Sequence, residues 1–222
     1  MDKYGEVWKN HPTKIFQSVS QLCSPEDILL VPGDISWASN LKEAASDLEF
    51  IASLPCKVVM SEGNHDNWAS KYNDLIAALP KNAVWAQRGC YQIGNLAIVS
   101  TRLWDFDDVV WPGKINSRAA DPVKIQNREI TRLENALKNL PQSNDIIRIL
   151  MVHFPPISFD ASPGRISDII NKYNVDYCVY GHLHGESEKV PGMDCVVGKT
   201  RFLLTSSDWL KMTPIEVCEF MT

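Results

Sequence analysis

The chain has no run of five or more basic residues, no Cys-x-x-Cys pair and no apolar stretch long enough to span a bilayer. Each absence removes a class of function. Tight, sequence-blind binding to nucleic acid draws on clustered Lys and Arg, and here the net charge is −5. A structural zinc site is built from paired thiolates, whereas the six cysteines stand singly, mostly among apolar neighbours such as Tyr177 and Val179. They read as small buried hydrophobes. The opening Met1-Asp2-Lys3-Tyr4-Gly5 lacks the apolar core of a signal peptide. The reduced cytoplasm is therefore the expected compartment, with no membrane partner. No repeat, linker or low-complexity tract divides the 222 residues, of which 45% are hydrophobic and 22% charged. One compact α/β domain over 1–222 is the expectation.

Hydrophobic spacing divides the chain into alternating elements. His11 to Leu22 reads as a helix with Pro12 in its first turn and Ile15, Phe16, Val19 and Leu22 on one face. Ile28 to Val31 reads as a buried strand stopped by Pro32-Gly33-Asp34. Asn40 and Glu43 resemble a capping box opening a helix through Ile51. A strand at Lys57 to Met60 is followed by Ser61-Glu62-Gly63-Asn64-His65-Asp66 and a helix from Trp68 to Leu79. Gly94-Asn95 between two β-rich runs signals a hairpin. Arg102 to Ala120, aromatic and acidic, reads as a long surface loop. Asp121-Pro122 opens the clearest helix. Strands at Ile146 to Val152 and Val175 to Tyr180 lead into His153-Phe154-Pro155-Pro156 and Gly181-His182-Leu183-His184, with a short helix around Ile166 to Tyr173 between them. Short β runs around Phe202-Leu203-Leu204 close the chain.

Four strand-like runs thus end in polar residues of metal-ligand type: Asp34, then Asn64-His65-Asp66, then His153, then His182 and His184. Alone, Gly-Asn-His-Asp is more readily a polar turn, and any one histidine is more readily a satisfied core residue. Parallel strands in a βαβ arrangement, however, bring their C-terminal ends to one edge of a sheet. Asp, Asn and several His gathered there, without cysteine, suit manganese, iron or zinc.

The ordered set Gly33-Asp34, Gly63-Asn64-His65-Asp66, His153 and Gly181-His182-Leu183-His184 resembles the calcineurin-like metallophosphoesterases. Gly33-Asp34-Ile35-Ser36-Trp37-Ala38, Ser100-Thr101-Arg102-Leu103-Trp104-Asp105 and His153-Phe154-Pro155-Pro156 look like a small bacterial phosphohydrolase branch of that family. The resemblance implies a sandwich of two mixed β-sheets flanked by helices. It implies two divalent ions bridged by Asp34, one also held by Asn64, His153 and His182, the other by His184. It further implies hydrolysis of a phosphate ester by a metal-bridged hydroxide, with His65 as general acid and Asp66 orienting its imidazole.

One departure stands out. The family pattern begins with a strand ending in Asp-x-His, which supplies two ligands to the first ion, and no Asp-x-His occurs here. The expectation is that Met1 is an internal methionine, that the first strand is missing, and that this polypeptide is weakly stable and nearly inactive. A metal-dependent phosphohydrolase acting on a small phosphorylated substrate leads. The alternative is a catalytically impaired or non-catalytic metal-binding member, with perhaps one ion. Nuclease action is disfavoured by charge. Glu62 is expected to face solvent, and Trp37, Trp68, Trp104 and Trp111 are candidates for either a substrate pocket or packing.

Overall fold

A computed structural model describes residues 5–113 and 120–221. The chain runs α1 (His11–Leu22), β1 (Ile28–Val31), α2 (Ala45–Ala52), β2 (Lys57–Met60), α3 (Tyr72–Ala78), β3 (Ala83–Trp85), β4 (Tyr91–Ile93), β5 (Leu96–Thr101), α4 (Pro122–Leu137), β6 (Ile147–Val152), α5 (Arg165–Lys172), β7 (Tyr177–Tyr180), β8 (Asp194–Val197) and β9 (Thr200–Leu204). Two sheets form, ordered β1-β2-β3 and β4-β5-β6-β7-β9-β8. The smaller is wholly parallel. Mixing is confined to the larger, where β4 and β8 join antiparallel at the two edges of a parallel centre.

Side chains alternate across a strand, and the core divides accordingly. From β2, Val59 faces Leu96, Ile98, Ile149, Met151, Val179 and Leu203 of the larger sheet, filling the space between sheets. Val58 and Met60 point the other way, onto Val19, Leu48, Ile51 and Leu75 of the three N-terminal helices. The opposite face of the larger sheet carries Val99, Leu150, Cys178 and Phe202 under Leu133, Leu137, Ile166 and Ile170 of α4 and α5. The result is a sheet sandwich with helices on both outer faces, as expected.

Several local expectations need correction. Ile28–Val31 is half-buried throughout, not buried, because among the described residues β1 pairs with β2 alone and its outer edge has no strand beside it. On α1, Ile15 and Val19 meet the core while Phe16 and Leu22 stay exposed. Half of the Asn40–Glu43 box forms: Glu43 N–H donates to Asn40 Oδ1 at 3.2 Å, while the Glu43 carboxylate accepts from the Asn40 side-chain amide at 2.8 Å and the Ser39 N–H at 3.0 Å instead of the Asn40 backbone. Regular helix nonetheless starts only at Ala45. The helix expected from Trp68 is a 3-10 turn at Asn67–Ala69 followed by α3 from Tyr72. Part of the loop expected over 102–120, residues 114–119, lies outside the described residues, as do Met1 to Tyr4. Among the described residues no helix is long and apolar enough to cross a membrane.

Register sets up the site. Thr101, Val152, Tyr180 and Leu204 lie in one row across the larger sheet, and Val31 pairs with Met60 in the smaller. The residues that follow, Arg102, His153, Gly181 and Thr205 on one side and Pro32 and Ser61 on the other, therefore leave the sandwich at a single edge.

Candidate metal centre

The loop after β1 turns sharply, with Gly33 at φ 99° and Asp34 at φ 57°. Glycine adopts the left-handed region freely, and Asp tolerates it better than most residues. Close approach fixes the choice as well. A Cβ on Gly33 would lie 2.7 Å from both Gly63 Cα and His153 Nδ1, and one on Gly63 would lie 2.1 Å from Asp34 Oδ1. Only two glycines let the β1 and β2 loops approach this closely.

Asp66 binds those loops together. Its buried carboxylate accepts N–H bonds from Asp34 (2.7 Å), Gly63 (2.8 Å), Ser36 (3.0 Å) and the Trp68 indole (2.9 Å). Burial pushes the carboxyl up to about 6 against the pull of these donors, and the all-acceptor geometry is that of the ionised form. The expected contact to the His65 imidazole is not among its bonds, which corrects the sequence reading. Neighbours in a tight turn point apart, and both Asp66 oxygens serve the loop backbone and Trp68.

Beyond the loops, donor atoms converge. His153, 1% exposed, places Nδ1 3.0 Å from the Pro32 carbonyl. A carbonyl only accepts, so Nδ1 carries the proton and Nε2 presents its lone pair. Nε2 lies 2.8 Å from Asn64 Oδ1, 3.2 Å from His182 Nδ1 and 3.5 Å from Asp34 Oδ2. His182 Nδ1 is 3.0 Å from the same Asn64 oxygen. Burial lowers both imidazoles, His153 to about 3 and His182 to about 4, so both are neutral at pH 7. Three acceptors thus face one another with at most the His182 proton between them. Gathered lone pairs of this kind are what a divalent cation stabilises. Edges of 2.8–3.5 Å also match ligand bonds of about 2.0–2.2 Å to one ion. The residues fit a metal through the Asn64 amide. Among the described residues no three His, Cys, Asp or Glu form a ready-made cage by themselves.

His184 is anchored separately. Its Nδ1 lies 2.9 Å from Asp208 Oδ1, while Asp208 Oδ2 accepts from Gly185 N–H at 2.8 Å, and Trp8 packs edge-on against the ring. Burial works to raise the Asp208 carboxyl, but its bonds to His184 and Gly185 more than offset this and hold it below the usual range. A carboxylate behind an imidazole fixes the tautomer with Nε2 unprotonated. Asp208 was not evident from motif. It follows β9, the strand completing the row that carries His153 and His182, and that register is the signal that finds it.

His65 donates its backbone N–H to Asp34 Oδ1 at 2.9 Å and stacks its ring on Trp37, with centroids 4.0 Å apart and planes 20° from parallel. Glu62, expected in solvent, is instead bound by Gln87 Nε2 at 2.8 Å and ion-paired to Arg102 at 3.5 Å. Its charge is thereby compensated by Arg102. The Arg102 carbonyl accepts from the His153 and Phe154 N–H groups, which sets its main chain beside His153. Of the four tryptophans considered, Trp68 and Trp111 are core and Trp104 packs on Phe154. Trp37, 48% exposed, is the one facing out.

Comparison with the curated proteins gives no match. The family described as calcineurin-like phosphoesterase matches over residues 10–186, more than three-quarters of the chain and every site residue named above except Asp208 and Trp8. The match runs from the tip of α1 to the loop holding His184, and takes in the smaller sheet, β4 to β7 of the larger one and every strand end that converges on Asn64. The chain belongs to the calcineurin-like phosphoesterases.

Proposed function

We propose that this chain is a metal-dependent phosphoesterase acting on a small phosphorylated substrate. Asp34, Asn64, His153 and His182 hold one divalent ion, and Asp34 with His184 faces a second. Manganese, iron or zinc suits this mixture of imidazole, amide and carboxylate. The observation that carries the reading is the close approach of His153 Nε2, His182 Nδ1 and Asn64 Oδ1, acceptors gathered within 3.2 Å of one another. When bound, a divalent ion there supplies charge to grip the phosphoryl oxygens and to acidify a water.

The chain's own residues supply the rest. Pro32 and Asp208 hold protons on the Nδ1 atoms of His153 and His184, leaving their Nε2 atoms to act as ligands. Asp66 keeps the Asp34 and Asn64 loops in place through their backbone. His65, which is no member of the converging set, gives a ring proton to the departing oxygen as general acid.

A second reading, a single-ion protein with impaired hydrolysis, draws on the gathering of four donors at one point while His184 is held on Asp208. Assay of the purified chain with added manganese against nitrophenyl mono- and diesters, alongside metal analysis, tests both. Hydrolysis lost together with metal in His153→Ala and His182→Ala supports the enzyme. One bound ion without turnover supports the second reading.

A further inference from the structure

We propose that Trp37 is the positioning residue of His65, the role that the neighbouring carboxylate does not fill. The proposal rests on the phosphoesterase reading for its catalytic meaning and on geometry for its substance. Asp66, next in sequence to His65, spends its oxygens on Asp34, Ser36, Gly63 and Trp68. The His65 ring instead lies against the Trp37 indole, 4.0 Å between centroids and 20° from parallel.

Trp37 is built to stay there. On one side, Ser36 N–H donates to Asp66 Oδ1 at 3.0 Å and Ser36 Oγ bonds the Asp47 carboxylate. On the other, Ala38 N–H donates to Ser36 Oγ at 3.2 Å. Ile35 and Ala38 pack into the core beneath the smaller sheet. Both flanks are thus pinned inward while the indole between them turns outward, at 48% exposure. The parallel stack on His65 ties this outward-turned indole to the site.

The stack confers what an acid needs. His65 is already tied at both ends of its backbone, by its N–H to Asp34 Oδ1 and by its carbonyl accepting from Asn67 N–H at 2.8 Å. The remaining freedom is rotation of the ring. An indole lying parallel to it blocks that rotation and shields one face from water. The ring nitrogens stay uncovered, because imidazole N–H bonds lie in the ring plane and the stack covers only the face. Asp66 takes part indirectly: by holding Ser36 it aims Trp37, and Trp37 aims His65.

Two measurements on the full chain test this. In histidine-labelled, metal-free protein, the His65 ring protons are expected upfield under the indole ring current, and Trp37→Ala is expected to remove that shift while Trp37→Phe retains part of it. In manganese-loaded protein, Trp37→Ala is expected to lower kcat for phenyl phosphate, whose leaving group is poor, by roughly 10–100-fold. The loss should exceed that for dinitrophenyl phosphate by about tenfold or more, since an acidic leaving oxygen needs little protonation. Trp37→Phe should recover most of it, bound manganese should be unchanged, and in a His65→Ala background Trp37→Ala should cost nothing further. Equal losses for both esters, an additive loss without His65, or His65 protons without ring-current shift would overturn the proposal. Wild-type protein that binds manganese but hydrolyses neither ester would sink the phosphoesterase reading instead, and the ring shift alone would then decide whether Trp37 orients His65.

Discussion

The two sheets contribute to the site in different ways. The smaller sheet delivers loops whose shape is held by backbone: two glycines that let the loops meet, and one buried carboxylate gathering three main-chain N–H groups and an indole. The larger sheet delivers imidazoles, and what is fixed there is the position of protons, by the Pro32 carbonyl on His153 and the Asp208 carboxylate on His184. The foundations differ as well. β5 is buried along its whole length and β6 along all but its first residue, whereas β1 is half-buried throughout. One half defines shape through hydrogen bonds to backbone; the other defines lone pairs on a rigid base. Damage to Asp66 and the glycines of the first should therefore appear as lost stability, and damage to the imidazoles of the second as lost metal.

The largest effect is expected at Asp66. Asp66→Ala leaves four N–H donors without their acceptor, each costing about 1–3 kcal/mol when buried. Against a domain stability of roughly 5–15 kcal/mol, such a variant should sit at the margin of folding in urea titrations, with Asp66→Asn between it and wild type. A near wild-type midpoint for Asp66→Ala would dissolve the contrast between the halves. Next, His153→Ala and His182→Ala should fold yet lose manganese, as read by metal analysis after gel filtration.

The halves also titrate with opposite sign. His153 and His182 have folded values depressed to about 3 and about 4 from 6.5. Below 6.5 the unfolded chain binds protons that the folded one refuses, so their contribution is present above 6.5 and is lost as pH falls toward 4. Each histidine accounts for roughly 1 kcal/mol per pH unit in that window. Asp66, raised to about 6 from 3.8, works the other way: its contribution is full below 3.8 and is lost as pH rises through 6. Two histidines outweigh one carboxylate, so metal-free stability should rise between pH 4 and 6.5. Removing either histidine should flatten that slope in thermal melts. Smaller again, Asp208→Ala should weaken metal binding at His184 by about 10–100-fold, the range usual for a partner behind a ligand. Glu62→Gln should change stability by about 1 kcal/mol at most, since its ion pair with Arg102 is partly exposed.

How much of this was legible in the sequence depends on whether a residue acts through a motif or through a neighbour in space. Asp34, Asn64, His153 and His182 each end a recognisable apolar run, and parallel strands bring such ends together. Their meeting could be expected, and Asn64 and His153 lie 2.8 Å apart. The Pro32 carbonyl could not be foreseen, because main-chain acceptors leave no mark on sequence. Asp208 sits in the tail beyond a weakly patterned strand, and only the pairing of β9 with β7 shows where it lands. The family resemblance implies that Asp66 orients His65, while its oxygens gather the main-chain N–H groups of Asp34, Ser36 and Gly63. The same carboxylate takes the Trp68 indole, and Asn67–Ala69 forms a 3-10 turn where a helix had been expected. The outer edge of β1 could not be judged from its four apolar residues, since pairing on one side or both looks the same in a short run.

The central claim is that the lone pairs gathered at Asn64 are a metal site. The most direct measurement is a manganese and zinc titration of metal-free wild type and of His153→Ala at pH 7 by calorimetry, with bound metal counted afterwards. The account predicts at least one ion bound by wild type, binding that weakens as pH falls because protons compete for the imidazoles, and loss of that ion in His153→Ala. A wild type that takes up neither metal, or a His153→Ala variant that binds as wild type does, would contradict it.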